Sequence, residues 1–297
     1  MTADVVSAAP APAPAPADAG RTRIRRARWY RHPTLLVGLV LLVVIVFMCV
    51  AAPLLTSFDP DKQNLEQALS GAGQFGHLLG TDQEGRDTWA RLLYGGRIDL
   101  RVAFLAVLFP FVLGTILGSL AGYFGGWIDI VILRIVDIVV AFPFFVLVIA
   151  LVFVLGAGEK SIYIAITAVG WVSYARILRG EILVAKRQEY VLAAQSGGLS
   201  SLRIMGRHLL PNVITQAIVY AMSDIVQNML AIVTLSYLGL GIQPPTPDWG
   251  TMIADGQNFL TTQWQLTTIP GLAVVITGLA LSLIGDGLAD LLRPGAS

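Results

Sequence analysis

Five residues in one apolar stretch carry the functional groups best suited to chemistry inside a membrane. Gln216, Tyr220, Asp224, Gln227 and Asn228 follow one another mostly at steps of three or four, a spacing that reads as one shared helix face. Asp224 lies about half-way along its stretch, where a charge costs roughly 2.5–3.5 kcal/mol on insertion scales, so it is expected to face protein or water rather than lipid. Two roles are open to it: a hydrogen bond to a neighbouring helix, or a place on a translocation path that the face of all five residues lines, where it favours a passing cationic group. Other chemistry is sparse. The stretch GAGEKS (156–161) has Glu159 where a phosphate-binding loop needs glycine before the lysine, and reads as a short connection between spans. His32, His77 and His208 lie in separate segments without metal-ligand spacing and read as interfacial or solvated, so no metal site is expected. Cys49 is the one cysteine, which excludes an internal disulfide and a cysteine cage. No catalytic arrangement or cofactor is expected.

The elements that must position these residues follow from composition. Of 297 residues, 55% are apolar and 13% charged, about half the ~25% charge of soluble domains. The charges cluster and leave uncharged runs long enough to cross a hydrocarbon core about 30 Å thick. An all-α, polytopic membrane protein with six spans is expected: 33–56, then roughly 99–123, 131–156, 161–178, 212–241 and 268–290. Residues 1–20 read as a disordered Ala/Pro-rich tail and 21–32 as a basic cytoplasmic segment. The loop 57–98 is placed outside, and the core of five further helices spans 99–294. Fourteen of the twenty Lys and Arg residues fall on the inner side of this arrangement, which puts both termini in the cytoplasm. Gly114, Gly118, Gly122 and Gly126 recur every fourth residue, a smooth stripe for close helix packing within the chain or against another subunit. Pro110, Pro143 and Pro270 are expected to kink apolar runs.

Between the fourth and fifth spans, residues 181–211 form the longest inner segment. Glu181 to Ser196 is compatible with a helix, Gly197 and Gly198 break it, Ser200 or Ser201 can cap a second short helix, and Pro211 marks entry to the next span. Residues 189–212, EYVLAAQSGGLSSLRIMGRHLLPN, resemble the cytoplasmic EAA loop of permease subunits of ABC importers, in Ala193, Ala194, Gly198 and Leu210-Pro211. Leu192 stands where that family has glutamate. HLLGTDQEGRDTWARLLYGGR (77–97), SYLGLGIQPPTPDWG (236–250) and GDGLADLLRP (285–294) are similar to signatures of the second permease subunit of dipeptide/oligopeptide transporters. Ala90, Ala289 and Arg293 depart from its usual residues.

That resemblance implies a type I ABC importer permease fold in a bacterial cell membrane. Its implied partners are a homologous second permease, two ATP-binding ATPase subunits, an extracytoplasmic substrate-binding protein and a peptide substrate, with membrane lipid around it and no nucleic acid. It also implies a coupling helix at 181–211, with Glu189, Tyr190, Leu192, Ala193, Ala194, Gly198, Leu210 and Pro211 meeting the ATPase, and no hydrolytic activity in this chain. Close relatives of the family import nickel chelates or glutathione. An ion-coupled carrier is the reading from another class. It would normally bury several ionisable groups, whereas Asp224 is the deep one here, with Asp137 and Asp286 nearer span ends.

Overall fold

A computed structural model describes residues 33–292; the tail 1–20, the basic segment 21–32 and Arg293 lie outside them. The described residues are almost wholly helical: α1 (Pro33–Val50), α2 (Ala52–Leu55), α3 (Thr88–Phe124), α4 (Gly126–Val140), α5 (Phe144–Leu155), α6 (Glu159–Ala185), α7 (Glu189–Ser196), α8 (Ser201–Ile204), α9 (Leu210–Tyr237), α10 (Trp249–Gly256) and α11 (Gln265–Leu292). Five helices, with α8 and α9 taken as one, are long and apolar enough to cross a bilayer, and the bent pair α4–α5 makes a sixth by length and composition.

Several element boundaries differ from the sequence expectation. The second span begins at Thr88 rather than 99, because the Asp87 carboxylate caps the helix by accepting the Ala90 N–H at 2.6 Å. At 37 residues α3 is about 55 Å long, well beyond a ~30 Å hydrocarbon core, so its first turns stand in the region assigned to the loop. The third span is not one helix. It breaks at Ala141-Phe142-Pro143 with a 90° bend, where Pro143 precedes α5. Pro110 and Pro270, by contrast, sit inside continuous helices. Pro53 leaves the Cys49 carbonyl without its helical donor, and Arg97 of α3 supplies one, Nε to Cys49 O at 3.2 Å and Nη2 to Val50 O at 2.9 Å.

The glycine stripe packs inside the chain. α3 and α6 run side by side as the most extensive helix pair. A Cβ on Gly114 would lie 2.4 Å from the Trp171 carbonyl oxygen, one on Gly118 2.5 Å from that of Ala175, and one on Gly122 3.0 Å from that of Arg179. Only hydrogen at these positions lets the two backbones meet. Gly126 is not part of the stripe; it has φ +57° and opens α4. Gly38 of α1 meets α11 in the same close manner, at Ala280 and Leu283, and Gly287 of α11 meets Leu35. α1 and α11 are thereby joined, and because Gly278 and Gly285 of α11 face Val226 and Met222 of α9 in antiparallel order, Pro33 and Leu292 lie toward the end of the bundle where α9 begins.

Two apolar clusters fill the bundle. One joins α3, α5, α6, α9 and α10 through residues such as Val102, Ile162, Ile232 and Trp249. The other joins α6 and α9 to the short helices between them: Tyr174, Leu178 and Ile182 with Val191, Ile204, Leu209, Val213 and Ala217. This second cluster gives the α7–α8 segment a fixed seat.

Candidate functional site: a docking knob and the helices that carry it

α6 ends at Ala185, the chain turns through Lys186–Gln188, and α7 begins at Glu189. The expected continuous helix from Glu181 to Ser196 is thus two helices with a joint between them. Val191 is fully buried in the knob's seat, which leaves Glu189, Tyr190, Leu192 and Ala193 exposed. Ala194 is half-buried. Gly198 has φ +75°, and it ends α7 in a Schellman motif: the Leu199 N–H bonds the Ala194 carbonyl at 3.2 Å and the Gly198 N–H bonds that of Gln195 at 3.0 Å. Leu199 and Ala194 both pack on the same apolar cluster. Nothing lies within 4 Å of a Cβ built on Gly198, so glycine is required there by conformation rather than by space.

The second half of the knob differs from expectation. Ser200 takes the N-cap position of α8 without a side-chain hydrogen bond. Pro211 does not begin a separate helix. The backbone runs from α8 through a π-helical turn, Met205–Leu209, into α9, and the Leu210 N–H reaches back five residues to the Met205 carbonyl. A wider turn absorbs the proline, which has no N–H to give. Leu210 is half-buried and Pro211 exposed.

The five polar residues of α9 do not share one face. At about 100° per residue, Gln216, Gln227, Ser223 and Thr234 lie within some 40° of each other, while Asp224 and Asn228 are turned away by roughly 80–120°. The structure follows that rotation: Gln216, Ser223, Gln227 and Thr234 are exposed, Tyr220 is half-buried, and Asp224 and Asn228 are buried. Asp224 Oδ2 accepts the Tyr174 hydroxyl of α6 at 2.7 Å. Asp224 is therefore bonded to a neighbouring helix inside the subunit, the first of the two roles open to it. Tyr174 is fully buried and stands edge-on to Tyr220, with ring centroids 5.0 Å apart, and to Phe111 of α3 at 5.5 Å. Sequence reasoning missed Tyr174 and the exposed Ser223 and Thr234. The seven-residue step from Gln216 to Ser223 and from Gln227 to Thr234 was the available signal.

At the opposite end, the loop between α2 and α3 is bolted to α3 and α10. His77, expected to be interfacial or solvated, is buried: its Nδ1 donates to Asp87 Oδ2 at 2.7 Å. Asp82 accepts the backbone N–H groups of Glu84 and Arg86 and the Arg86 Nε at 2.6 Å. Arg86 also pairs with Glu84 and Asp255, and Arg91 donates to the carbonyl oxygens of Pro60 and Pro245. The GTDQEGRD stretch thus serves to build this loop. Asp248, fully buried, caps α10 by accepting the Gly250 and Thr251 N–H groups and the Thr251 hydroxyl. Burial raises the Asp248 carboxyl above its ordinary range, against those hydrogen bonds. Burial likewise raises Asp255, against the pull of Arg86 and Arg91.

Residues 114–297 match the family model described as binding-protein-dependent transport system inner membrane component, and residues 21–72 match that of the N-terminal TM domain of oligopeptide transport permease C. The chain is 38% identical over 259 residues to the dipeptide transport system permease protein DppC of Alkalihalophilus pseudofirmus, covering 87% of this chain and 85% of the relative. It is 39% identical over 259 residues to DppC of Bacillus subtilis, covering 86% and 80%. It is 36% identical over 266 residues to the glutathione transport system permease protein GsiD of Pectobacterium atrosepticum, covering 89% and 87%. Among solved structures, the MetNI methionine ABC transporter in inward-facing conformations shares the fold, with TM-score 0.55 and 18% identity over 68% of this chain and 97% of that one. A helical bundle with a seated knob between two of its spans, matched along nearly its whole length, belongs to the binding-protein-dependent inner membrane permeases of ABC importers.

Proposed function

We propose that this chain is the transmembrane permease subunit of an ATP-driven importer of peptides, with the energy supplied by separate ATPase subunits. The observation that carries the reading is the knob: exposed Glu189, Tyr190, Leu192 and Ala193 on a helix whose other face is anchored between α6 and α9. Such a surface suits a groove on a partner that changes shape with nucleotide. It transmits work only where it binds the partner's two states differently. Leu192, Tyr190 and Leu202 offer apolar contact area, so the docking does not require a carboxylate at position 192.

The exposed polar side chains of α9 support a second permease and an aqueous route. In hydrocarbon an unpartnered amide costs several kcal/mol, so Gln216 and Gln227 face a partner or water in the working complex. A homologous second permease packed there would enclose a path between the two subunits, which rock to open it alternately. The knob end is the cytoplasmic one on this reading, and both termini lie on that side. The loop 57–87 and the α10 segment then face outward and receive the substrate-binding protein. Peptides are the substrate class favoured by the dipeptide-system relatives; the glutathione-system relative widens it to peptide-like molecules.

The test is import into proteoliposomes by the assembled complex with its binding protein. Dipeptide should accumulate only with ATP, and a Leu192→Cys variant made with Cys49→Ser should cross-link to the ATPase. Peptide import without ATP, or a knob that cross-links to no ATPase, sinks the proposal.

A further inference from the structure

We propose that the hydrogen bond from the Tyr174 hydroxyl to the Asp224 carboxylate is the joint that carries knob motion from α9 into the α3–α6 pair. The inference rests on the coupling reading above and assigns Tyr174 and Asp224 as positioning residues rather than contacts of the peptide.

The two sides of the knob are built differently. On one side α8, the π turn and α9 form one unbroken helix, so a push on the knob reaches α9 directly. On the other side the chain turns at Lys186–Gln188, so the same push reaches α6 only through a joint. α6 is moreover moored away from α9. Its backbone lies against α3 at Gly114, Gly118 and Gly122, Arg179 holds Asp129 of α4 by two bonds of 2.5 and 2.6 Å, and Lys186 Nζ donates to the Gly122 carbonyl at 2.9 Å. We take the knob with α9 as one body and α6 with α3 and the start of α4 as the other; α9 meets this second body along α3 as well as along α6.

Between these bodies lies a layer of apolar side chains: Leu178 and Ile182 against Leu209, Val213, Ala217 and Ala221. Apolar contact is not directional and lets helices slide by small steps. A hydrogen bond between two buried side chains fixes register. Tyr174–Asp224 is such a bond, at 2.7 Å, with Tyr174 fully buried and Asp224 8% exposed. It sits some 18 Å along α6 from Lys186 and about 21 Å along α9 from Leu210, so it closes the far end of a frame whose near end is the knob. Phe111 and Tyr220 wedge the Tyr174 ring edge-on and hold its hydroxyl toward Asp224.

The test compares Asp224→Asn with the double variant Tyr174→Phe/Asp224→Asn in the reconstituted complex, reading ATP hydrolysed per peptide imported. Asparagine keeps an oxygen that accepts the Tyr174 hydroxyl, so the single variant should hold the wild-type ratio. The double variant has neither the bond nor a buried charge, and its ratio should rise about three- to tenfold, the change in a two-state balance that one buried hydrogen bond governs. Equal ratios in the two variants overturn the proposal. So does a single variant as uncoupled as the double, which would make the charge the active feature. Cross-linking of Leu192→Cys to the ATPase is followed in the same samples: its loss marks failure of the coupling reading, whereas its retention with unchanged ratios marks failure of the joint alone. A variant that does not assemble leaves a second measurement, spin labels at Val184 and Asn212 in a complex with wild-type Tyr174 and Asp224. Their separation should stay constant through the nucleotide cycle, and a change on ATP binding overturns the joint.

Discussion

Gly198 shows how one backbone angle can decide a surface. Its φ of +75° aims Leu199 back onto the seat of the knob, and a Cβ there meets no neighbour but raises the cost of that angle. Gly198→Ala should lower the stability of the purified subunit by about 1 kcal/mol, seen as a reduced melting temperature in detergent, with Gly198→Asn milder. Deleting Gly198 should shift α8 relative to α7 and separate ATP hydrolysis from import without preventing insertion; a deletion variant with unaltered import would make the knob mere connection. Asp248 permits a pH test. Its carboxyl is raised in the folded chain, so ionising it costs more folded than unfolded, and stability is lost as pH rises from the ordinary aspartate value through the raised one. Asp248→Asn, which keeps the helix cap, should therefore melt above wild type at pH 8, and the advantage should vanish toward pH 4.

Helix pairs show where sequence periodicity was enough and where it was not. The four-residue glycine spacing placed a smooth stripe on α3, but only the packed helices showed that α6 covers it and that Gly126 is a turn. Gly118→Ala would push a methyl group to 2.5 Å from the Ala175 carbonyl oxygen, so it should cost about 1–3 kcal/mol as overpacking and lower the yield of folded protein. Gly180→Ala in α6, with open space around it, is the control and should be neutral. Periodicity misjudged α9 for a geometric reason. Steps of three and four advance the face by −60° and +40°, and the steps 216, 220 and 224 both turned the same way, carrying Asp224 off the exposed stripe. The bend at Ala141–Pro143 was equally hidden, because hydropathy does not register direction.

At the scale of the whole molecule, the proposed function is a gate worked from outside. Its spans meet at glycines, its knob is seated in the bundle, and its exposed polar stripe on α9 has no cover within the described residues. The purified chain alone in vesicles, given an ion gradient and no nucleotide, should accumulate no peptide, whereas the complete complex with ATP should. Measurable gradient-driven accumulation by the chain alone would point to a carrier instead.

The sequence by itself determined that this chain is a bundle of apolar helices with a segment of helix, glycine and helix between two of them, since both follow from local composition and spacing. It also carried the resemblance that proved to be the family. Which residues face one another was decided by the tertiary structure. Asp224 and Gln227 are three residues apart, yet one is bonded inside the subunit and the other exposed, because they are turned about 60° apart around α9 and the α6 crossing covers only the Asp224 side. Tyr174 became visible only once that crossing was known, as its partner lies fifty residues away along the chain.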